Sequence, residues 1–154
     1  MGLDGRKVPT RSAHAILNSL FQSAGVLCAK RAMVIHDRKL KAEGLDVDFF
    51  KEDWKNKTFC QQLIAYHDEA QMEVKKELVQ FKMFATEEEA INFKKSEDKI
   101  WSDVKPSPKG GFYVAYSRAG ELAAQAVKEA GEYYNLNVEL TAGYMLGRHW
   151  AQCH

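Results

Sequence analysis

The most constraining feature of this 154-residue chain is a long, proline-free stretch of helical periodicity near its N-terminus. Ser12 is a plausible N-cap for it, and Gly44 is a natural stop. Between them, apolar residues recur every three or four positions: Leu17, Leu20, Phe21, Ala24, Leu27, Cys28 and Ile35. The pattern predicts one helix from Ser12 to about Lys41, and every other element of a small domain must pack around it.

After that helix the sequence predicts short strands mixed with two further helices, which places the chain in the α+β class. Residues 59–66 and 70–74 read as two strands around a bend, and the second strand alternates apolar and polar side chains. Thr86 and Glu89 form a capping-box pattern for a helix that runs to about Trp101.

The remaining predicted elements are a strand at 78–84, a loop rich in Pro and Gly at 106–111, a strand at 112–116, a helix capped by Ser117 and a last strand at 138–140.

The charge distribution and the cysteine content limit the partners and the cellular compartment that suit this chain. Residues 1–41 carry eight Lys or Arg and two Asp, whereas residues 42–104 carry nine Lys and fifteen acids. The basic first quarter suits an acidic partner or a phosphate backbone, and equally a solvated helix face. Three widely spaced cysteines favour a reducing cytoplasm over a disulfide framework. No apolar run is long enough to cross a bilayer, and no secretory signal is expected.

An acidic bend is the first candidate site. His67, Asp68 and Glu69 fall where the strand alternation breaks, so both carboxylates can lie near one point. Mg²⁺ prefers oxygen ligands and is held by one or two carboxylates together with substrate phosphates and water. The same residues also suit an ordinary polar turn, and composition alone favours that interpretation.

A polar stripe on the long helix is the second candidate. His14, Asn18 and Gln22 are spaced by four residues and share one helix face. Such side chains can hydrogen-bond the similarly placed acceptors of a DNA minor groove, or simply face solvent. Gly25 adds a low-profile position that allows either close approach of a ligand or a tight helix–helix contact.

The C-terminal residues His149, Cys153 and His154 form a poor zinc set, because no further ligands accompany them.

In order and spacing these features resemble a family A, DNA polymerase I-like, polymerase. The run 11–25 (RSAHAILNSLFQSAG) is similar to the long palm helix of that family, and 66–69 (YHDE) is similar to its last catalytic motif. The ending 150–154 (WAQCH) resembles the C-terminus of the bacteriophage replicative polymerases of short-tailed phages. The match covers residues 3–74 and 113–154, and it implies an antiparallel palm sheet whose catalytic hairpin packs on long helices.

The resemblance implies a role for each matched residue. Asp68 would ligate the catalytic Mg²⁺ ions, Glu69 would sit beside it, and His67 would contact the primer 3′ end. The positions implied to contact DNA are Arg11, His14, Asn18 and Gln22, although His14 stands where many relatives carry Arg. The partners implied are primer–template DNA and a deoxynucleoside triphosphate, in a bacterial host cytoplasm.

Departures from the family limit what the lone chain can do. The sequence lacks the second metal-binding Asp and the fingers helix, and residues 75–112 are expected to be an insertion. Two-metal phosphoryl transfer needs ions roughly 3.5–4 Å apart, which one Asp cannot hold. We therefore expect an inactive lone chain that requires an upstream polymerase chain carrying the other Asp, the fingers and the thumb.

The sequence leaves two alternative functions open. The chain could be a non-catalytic module that binds primer–template DNA or a replication protein, or an inert fragment of an interrupted polymerase gene. In the split-enzyme case, helix faces that normally pack on missing palm strands would be exposed, so the lone chain should associate with itself.

Overall fold

A computed structural model describes residues 1–46, 60–66 and 69–153, and it is an α+β structure. After a 3-10 turn at Ala13–Ala15, helix α1 spans Ile16–Ala42. The other helices are α2 (Glu87–Ser96) and α3 (Arg118–Tyr133). The strands are β1 (Cys60–Tyr66), β2 (Glu69–Val74), β3 (Val79–Phe84), β4 (Lys105–Pro106) and β5 (Phe112–Ser117).

The described strands form two antiparallel sheets. Strands β1 and β2 pair as a hairpin, and β3, β5 and β4 form a second sheet with β5 in the centre. The described part of the chain contains no helix long and apolar enough to cross a membrane.

The C-terminal half of α1 packs on α3, and this contact organises the first core. The buried residues of α1 follow one stripe at four-residue spacing: Cys28, Ala32, His36 and Leu40. Leu40 lies in a buried cluster with Cys60 of β1 and with Ala119 and Leu122 of α3. The hairpin and the two long helices therefore share one core, as the sequence predicted.

Residues 79–117 build a second core around the three-stranded sheet. Helix α2 covers one face of that sheet, and Ala90, Trp101, Val114 and Tyr116 are buried between them. The Trp101 ring packs edge-on against the Phe93 ring, with centroids 5.0 Å apart. Most of the predicted insertion thus forms a small β–α–β–β unit, which we call the sheet module, with apolar packing of its own.

An ionic network joins the sheet module to the helices. Arg118 donates to both carboxylate oxygens of Glu43 and, at 2.5 Å, to Glu121. Glu121 is buried and also accepts from the Tyr116 hydroxyl and from the Ile100 backbone N–H. Burial alone would raise the pKa of Glu121, but these three donors outweigh it and hold the pKa below its usual value.

The boundaries of several predicted elements need correction. Helix α2 ends at Ser96, because the chain turns there and carries Trp101 into the core as a loop residue. Residues 138–140 are not a strand but an irregular segment beside α3, where Leu140 approaches Gly131. Ser12 precedes a 3-10 turn and caps no α-helix.

The two-residue strand β4 was not expected. The Thr86 capping box is confirmed.

Two helical glycines provide a matched stability test. A Cβ on Gly120 would lie 2.6 Å from the half-buried Tyr144 ring, whereas a Cβ on Gly25 would meet no described atom within 4 Å. We expect Gly120→Ala to lower the free energy of unfolding by about 1–3 kcal/mol through overpacking. Gly25→Ala should raise it by up to about 1 kcal/mol, because Ala is the better helix former. Urea unfolding of both variants measures the difference, and a more stable Gly120→Ala protein would contradict the packing described.

Candidate functional site

One face of α1 changes character halfway along the helix. Eighteen residues make five helical turns, so Asn18 lies on the same face as His36, and Gln22 on the same face as Leu40. His36 and Leu40 are buried, whereas Asn18 and Gln22 are exposed. The described residues therefore cover this face only in the C-terminal half of α1. We call its uncovered part, with His14, Asn18, Gln22 and Gly25, the open face.

The open face combines polar groups with apolar side chains at its border. His14, Asn18 and Gln22 are all exposed, as is Arg11 in the preceding segment. Phe21 is 73% exposed and Leu17 is 67% exposed. The N-terminal segment does not cover this face, because Gly2 approaches α1 at Ser23 on the opposite side of the helix. The exposed apolar surface expected of a lone chain is thus found on this half of α1.

Gly25 lies within the open face and makes no helix–helix contact with the described residues. Nothing described lies within 4 Å of a Cβ built there. The interpretation of Gly25 as a packing site inside the chain is therefore wrong for the described part of the molecule. The position remains accessible to a ligand or another polypeptide.

The hairpin is fixed to α1 by a buried histidine. The Nε2 atom of His36 lies 3.1 Å from the Ala119 carbonyl oxygen of α3, and Nδ1 lies 3.0 Å from Nε2 of Gln62 in β1. Gln62 also donates to the Met33 carbonyl. A neutral ring that donates from Nε2 and accepts at Nδ1 satisfies both contacts. One imidazole therefore ties α1, α3 and the hairpin together.

Two contacts position the first residues of β1 against α1. Cys60 clusters with Leu40, whereas Gln62 bonds to His36, which lies one turn closer to the helix N-terminus. From Cys60 to Gln62 the strand therefore advances toward the N-terminal half of α1.

A β-bulge interrupts the hairpin before its bend. Gln62 pairs with Met72 but Ile64 pairs with Gln71, so Leu63 is the extra residue and its side chain is exposed. A bulge bends its strand and re-aims the side chains beyond it. The sequence carried a signal for it, because two adjacent polar residues followed by two apolar ones break the alternation expected of a strand.

Glu69 is the one residue of the predicted catalytic bend that the structure describes. It opens β2, and its Oε1 atom accepts a hydrogen bond of 3.0 Å from Gln71. His67 and Asp68 lie outside the described residues, as does His154. Carboxylate oxygens suit Mg²⁺. Within the described ranges, however, no three His, Cys, Asp or Glu side chains are grouped to hold a metal ion.

The described C-terminal residues give no sign of a zinc site. His149 is exposed, and Cys153 is a free thiol, as are Cys28 and Cys60.

The sequence is related to phage replication enzymes. It is 29% identical over 157 residues to a DNA-directed DNA polymerase of Enterobacteria phage T3, across 99% of this chain and 16% of the polymerase. It is 36% identical over 96 residues to that of Escherichia phage T7, across 60% of this chain and 12% of the polymerase. The chain is homologous to a segment of phage DNA-directed DNA polymerases.

A third relative extends the comparison. The polymerase of Escherichia phage Phieco32 is 24% identical over 161 residues, across the whole of this chain and 18% of that protein. The chain thus spans less than one-fifth of the length of these polymerases. No family model matches it.

The buried His36 predicts a loss of stability in acid. Burial lowers its pKa below the ordinary 6.5, although the Ala119 carbonyl and Asp37 oppose that effect. Between the lowered and the ordinary pKa the unfolded chain binds a proton that the folded chain does not, so folding weakens as pH falls below about 6.5. Thermal unfolding at pH 7.5 and 5.5 measures this loss.

Two substitutions identify the responsible histidine. His36→Gln should flatten the pH dependence, whereas His14→Gln, which removes an exposed histidine near the start of the same helix, should leave it unchanged. Equal acid losses in His36→Gln and the wild-type chain would contradict the assignment.

Proposed function

We propose that the chain is a C-terminal palm portion of a family A phage DNA polymerase, with an insertion at residues 75–112 that forms most of the sheet module. In this proposal it takes part in template-directed addition of deoxynucleotides to a primer 3′ end. The observation that carries the proposal is the similarity to phage DNA polymerases over 99% of this chain. The α+β architecture, with a hairpin packed on two long helices, agrees with a palm fragment.

The open face of α1 is the surface proposed to meet primer–template DNA. The side-chain amides of Asn18 and Gln22 each carry N–H donors and a carbonyl acceptor. The minor groove offers hydrogen-bond acceptors at similar positions for every base pair. Contacts of this kind hold a duplex without selecting its sequence. The accessible Gly25 allows the phosphate or sugar backbone to approach the helix, and Arg11 and His14 add basic groups at the same end.

The catalytic bend is proposed to lie beside this duplex. The support for this is the start of β1, which passes from Leu40 at Cys60 to His36 at Gln62 and so advances toward the N-terminal half of α1. The bulge at Leu63 gives the hairpin a means of turning the following side chains. We propose that His67 contacts the primer 3′ end, that Asp68 is a metal ligand and that Glu69 lies beside Asp68.

Metal chemistry requires a second polypeptide in this account. Asp68 would hold Mg²⁺ together with an Asp from outside this chain, and the ion would stabilise the attacking oxygen and the leaving pyrophosphate. The exposed apolar border of the open face, with Leu17 and Phe21, is suited to pack against the remainder of a polymerase. We therefore propose that catalysis, deoxynucleotide binding and full burial of α1 all depend on an upstream polymerase chain.

Primer extension tests the catalytic proposal. The lone chain is expected to be inactive, and activity is expected when it is mixed with a polypeptide carrying the remaining palm, fingers and thumb. Asp68→Asn should abolish that activity, because its neutral amide no longer supplies a charged metal ligand. Asp98→Asn, an exposed acid after α2, is the matched control and should retain it. Undiminished extension by Asp68→Asn would reject the metal role.

Duplex binding tests the open face independently of catalysis. The double variant Asn18→Ala, Gln22→Ala should weaken binding of a labelled primer–template duplex by about tenfold or more, since each lost hydrogen bond contributes about 0.5–1.5 kcal/mol. Asn92→Ala removes an exposed Asn from α2 and should bind as the wild type does. Fluorescence anisotropy at fixed salt makes the comparison. Equal affinity of the double variant and the control would exclude the open face from the duplex interface.

A further inference from the structure

The sheet module leaves an apolar surface on the side away from α2. Side chains alternate along β3, so Lys82 and Phe84 face α2 while Phe81 and Met83 face the other way. Phe81 is 56% exposed and Met83 is 57% exposed. The C-terminal segment lies over part of this face, where the Tyr144 hydroxyl accepts from the Ser117 N–H and the Gln152 carbonyl accepts from the Lys105 ammonium.

The Phe81 and Tyr113 rings lie side by side on this face, and Phe81 is exposed whereas Tyr113 is half-buried. Met83 pairs with Tyr113 across β3 and β5, so Phe81 is the diagonal neighbour of Tyr113 on the same face. The ring centroids of Phe81 and Tyr113 are 6.1 Å apart with a tilt of 53°. Aromatic rings displayed on adjacent antiparallel strands are a surface on which unpaired bases stack, because every base has a flat π-face.

Positive charge borders these rings. Lys105 pairs with Tyr113 across β4 and β5 and therefore lies on the same face. Its ammonium donates to the Gln152 carbonyl, a neutral acceptor, at 2.5 Å. Gln152 also accepts at its side chain from the Arg148 backbone N–H, and the Arg148 side chain is exposed. Exposed Lys109 lies in the loop that joins β4 to β5.

We propose that this face of the sheet module binds single-stranded DNA. Bases would stack on Phe81 and Tyr113, and Lys105 and Arg148 would contact the phosphates. Aromatic rings with cations beside them match an unpaired strand, whereas a duplex keeps its base faces inside its own stack. The choice of DNA rests on the proposed polymerase function, in which the template strand beyond the primer end is single-stranded.

Oligonucleotide binding by the full chain tests the proposal. The probe is a fluorescein-labelled oligodeoxythymidylate of about 12 nucleotides, within the range of site sizes known for single-strand binders. Phe81→Ala should weaken its binding by at least about fivefold, the loss expected for one stacked base. Phe81→Tyr keeps an aromatic ring and should bind nearly as the wild type does. Ile91→Ala trims an exposed apolar side chain on α2 and is the matched control.

Three results would overturn the proposal. They are absence of oligodeoxythymidylate binding by the wild-type chain, equal affinity of Phe81→Ala and Ile91→Ala, and loss of self-association in Phe81→Ala, measured by light scattering, without loss of oligonucleotide binding. The last result would make the face a protein contact. Equal unfolding midpoints for the variants exclude misfolding as the cause of weaker binding.

A parallel titration with primer–template duplex separates this proposal from the polymerase assignment. Phe81-dependent oligonucleotide binding without Asn18-dependent duplex binding would uphold the single-strand site and reject the assigned role of the open face. The reverse pattern would reject the single-strand site alone.

Discussion

The packing of α1 on α3 is the contact on which the other features of this molecule depend. It buries a single stripe of α1, with Cys28 at one end and Leu40 at the other, and places His36 where it can bond to both α3 and β1. Because α3 covers only the C-terminal half of that face, the same packing leaves Asn18 and Gln22 exposed. The candidate DNA surface is therefore the continuation of a buried helix face beyond the end of its partner.

The ionic network around Arg118 connects that helix pair to the sheet module. Glu43 follows α1, Glu121 belongs to α3 and Tyr116 belongs to β5, so one guanidinium links both parts of the molecule. The sheet module nevertheless packs around an apolar cluster of its own. The sheet module and the core shared by the hairpin and the long helices therefore pack as two separate apolar clusters, and this network connects them.

The sequence predicted the elements better than their contacts. Local patterns were sufficient for α1, the hairpin strands and the Thr86 capping box, because helical periodicity and capping depend on neighbours within a few residues. The end of α2 was misjudged because Trp101 is apolar and continues a helical pattern, while its burial depends on the distant Val114 and Tyr116. Strand β4 is two residues long and contains a proline, so no local rule could identify it.

In the candidate site, too, the local sequence pattern indicates some residues, whereas the fold alone brings others together. The stripe His14, Asn18 and Gln22 was readable from its spacing, and its exposure agrees with a binding face. The Arg118–Glu121 ion pair has the i, i+3 spacing that favours such pairs on a helix. The other acceptor of Arg118, Glu43, is 75 residues away in the sequence, so no local pattern indicates it. The link from His36 to Gln62 was not readable either, because only the fold brings those residues together.

Site-specific photocrosslinking tests the central claim most directly. A photoreactive side chain would replace Gln22 on the open face or Lys41 at the opposite end of α1, in the presence of a labelled primer–template duplex. The account predicts DNA adducts from position 22 and few from position 41, because only the N-terminal half of the helix faces the duplex. Equal yields from both positions, or adducts from position 41 alone, would contradict it.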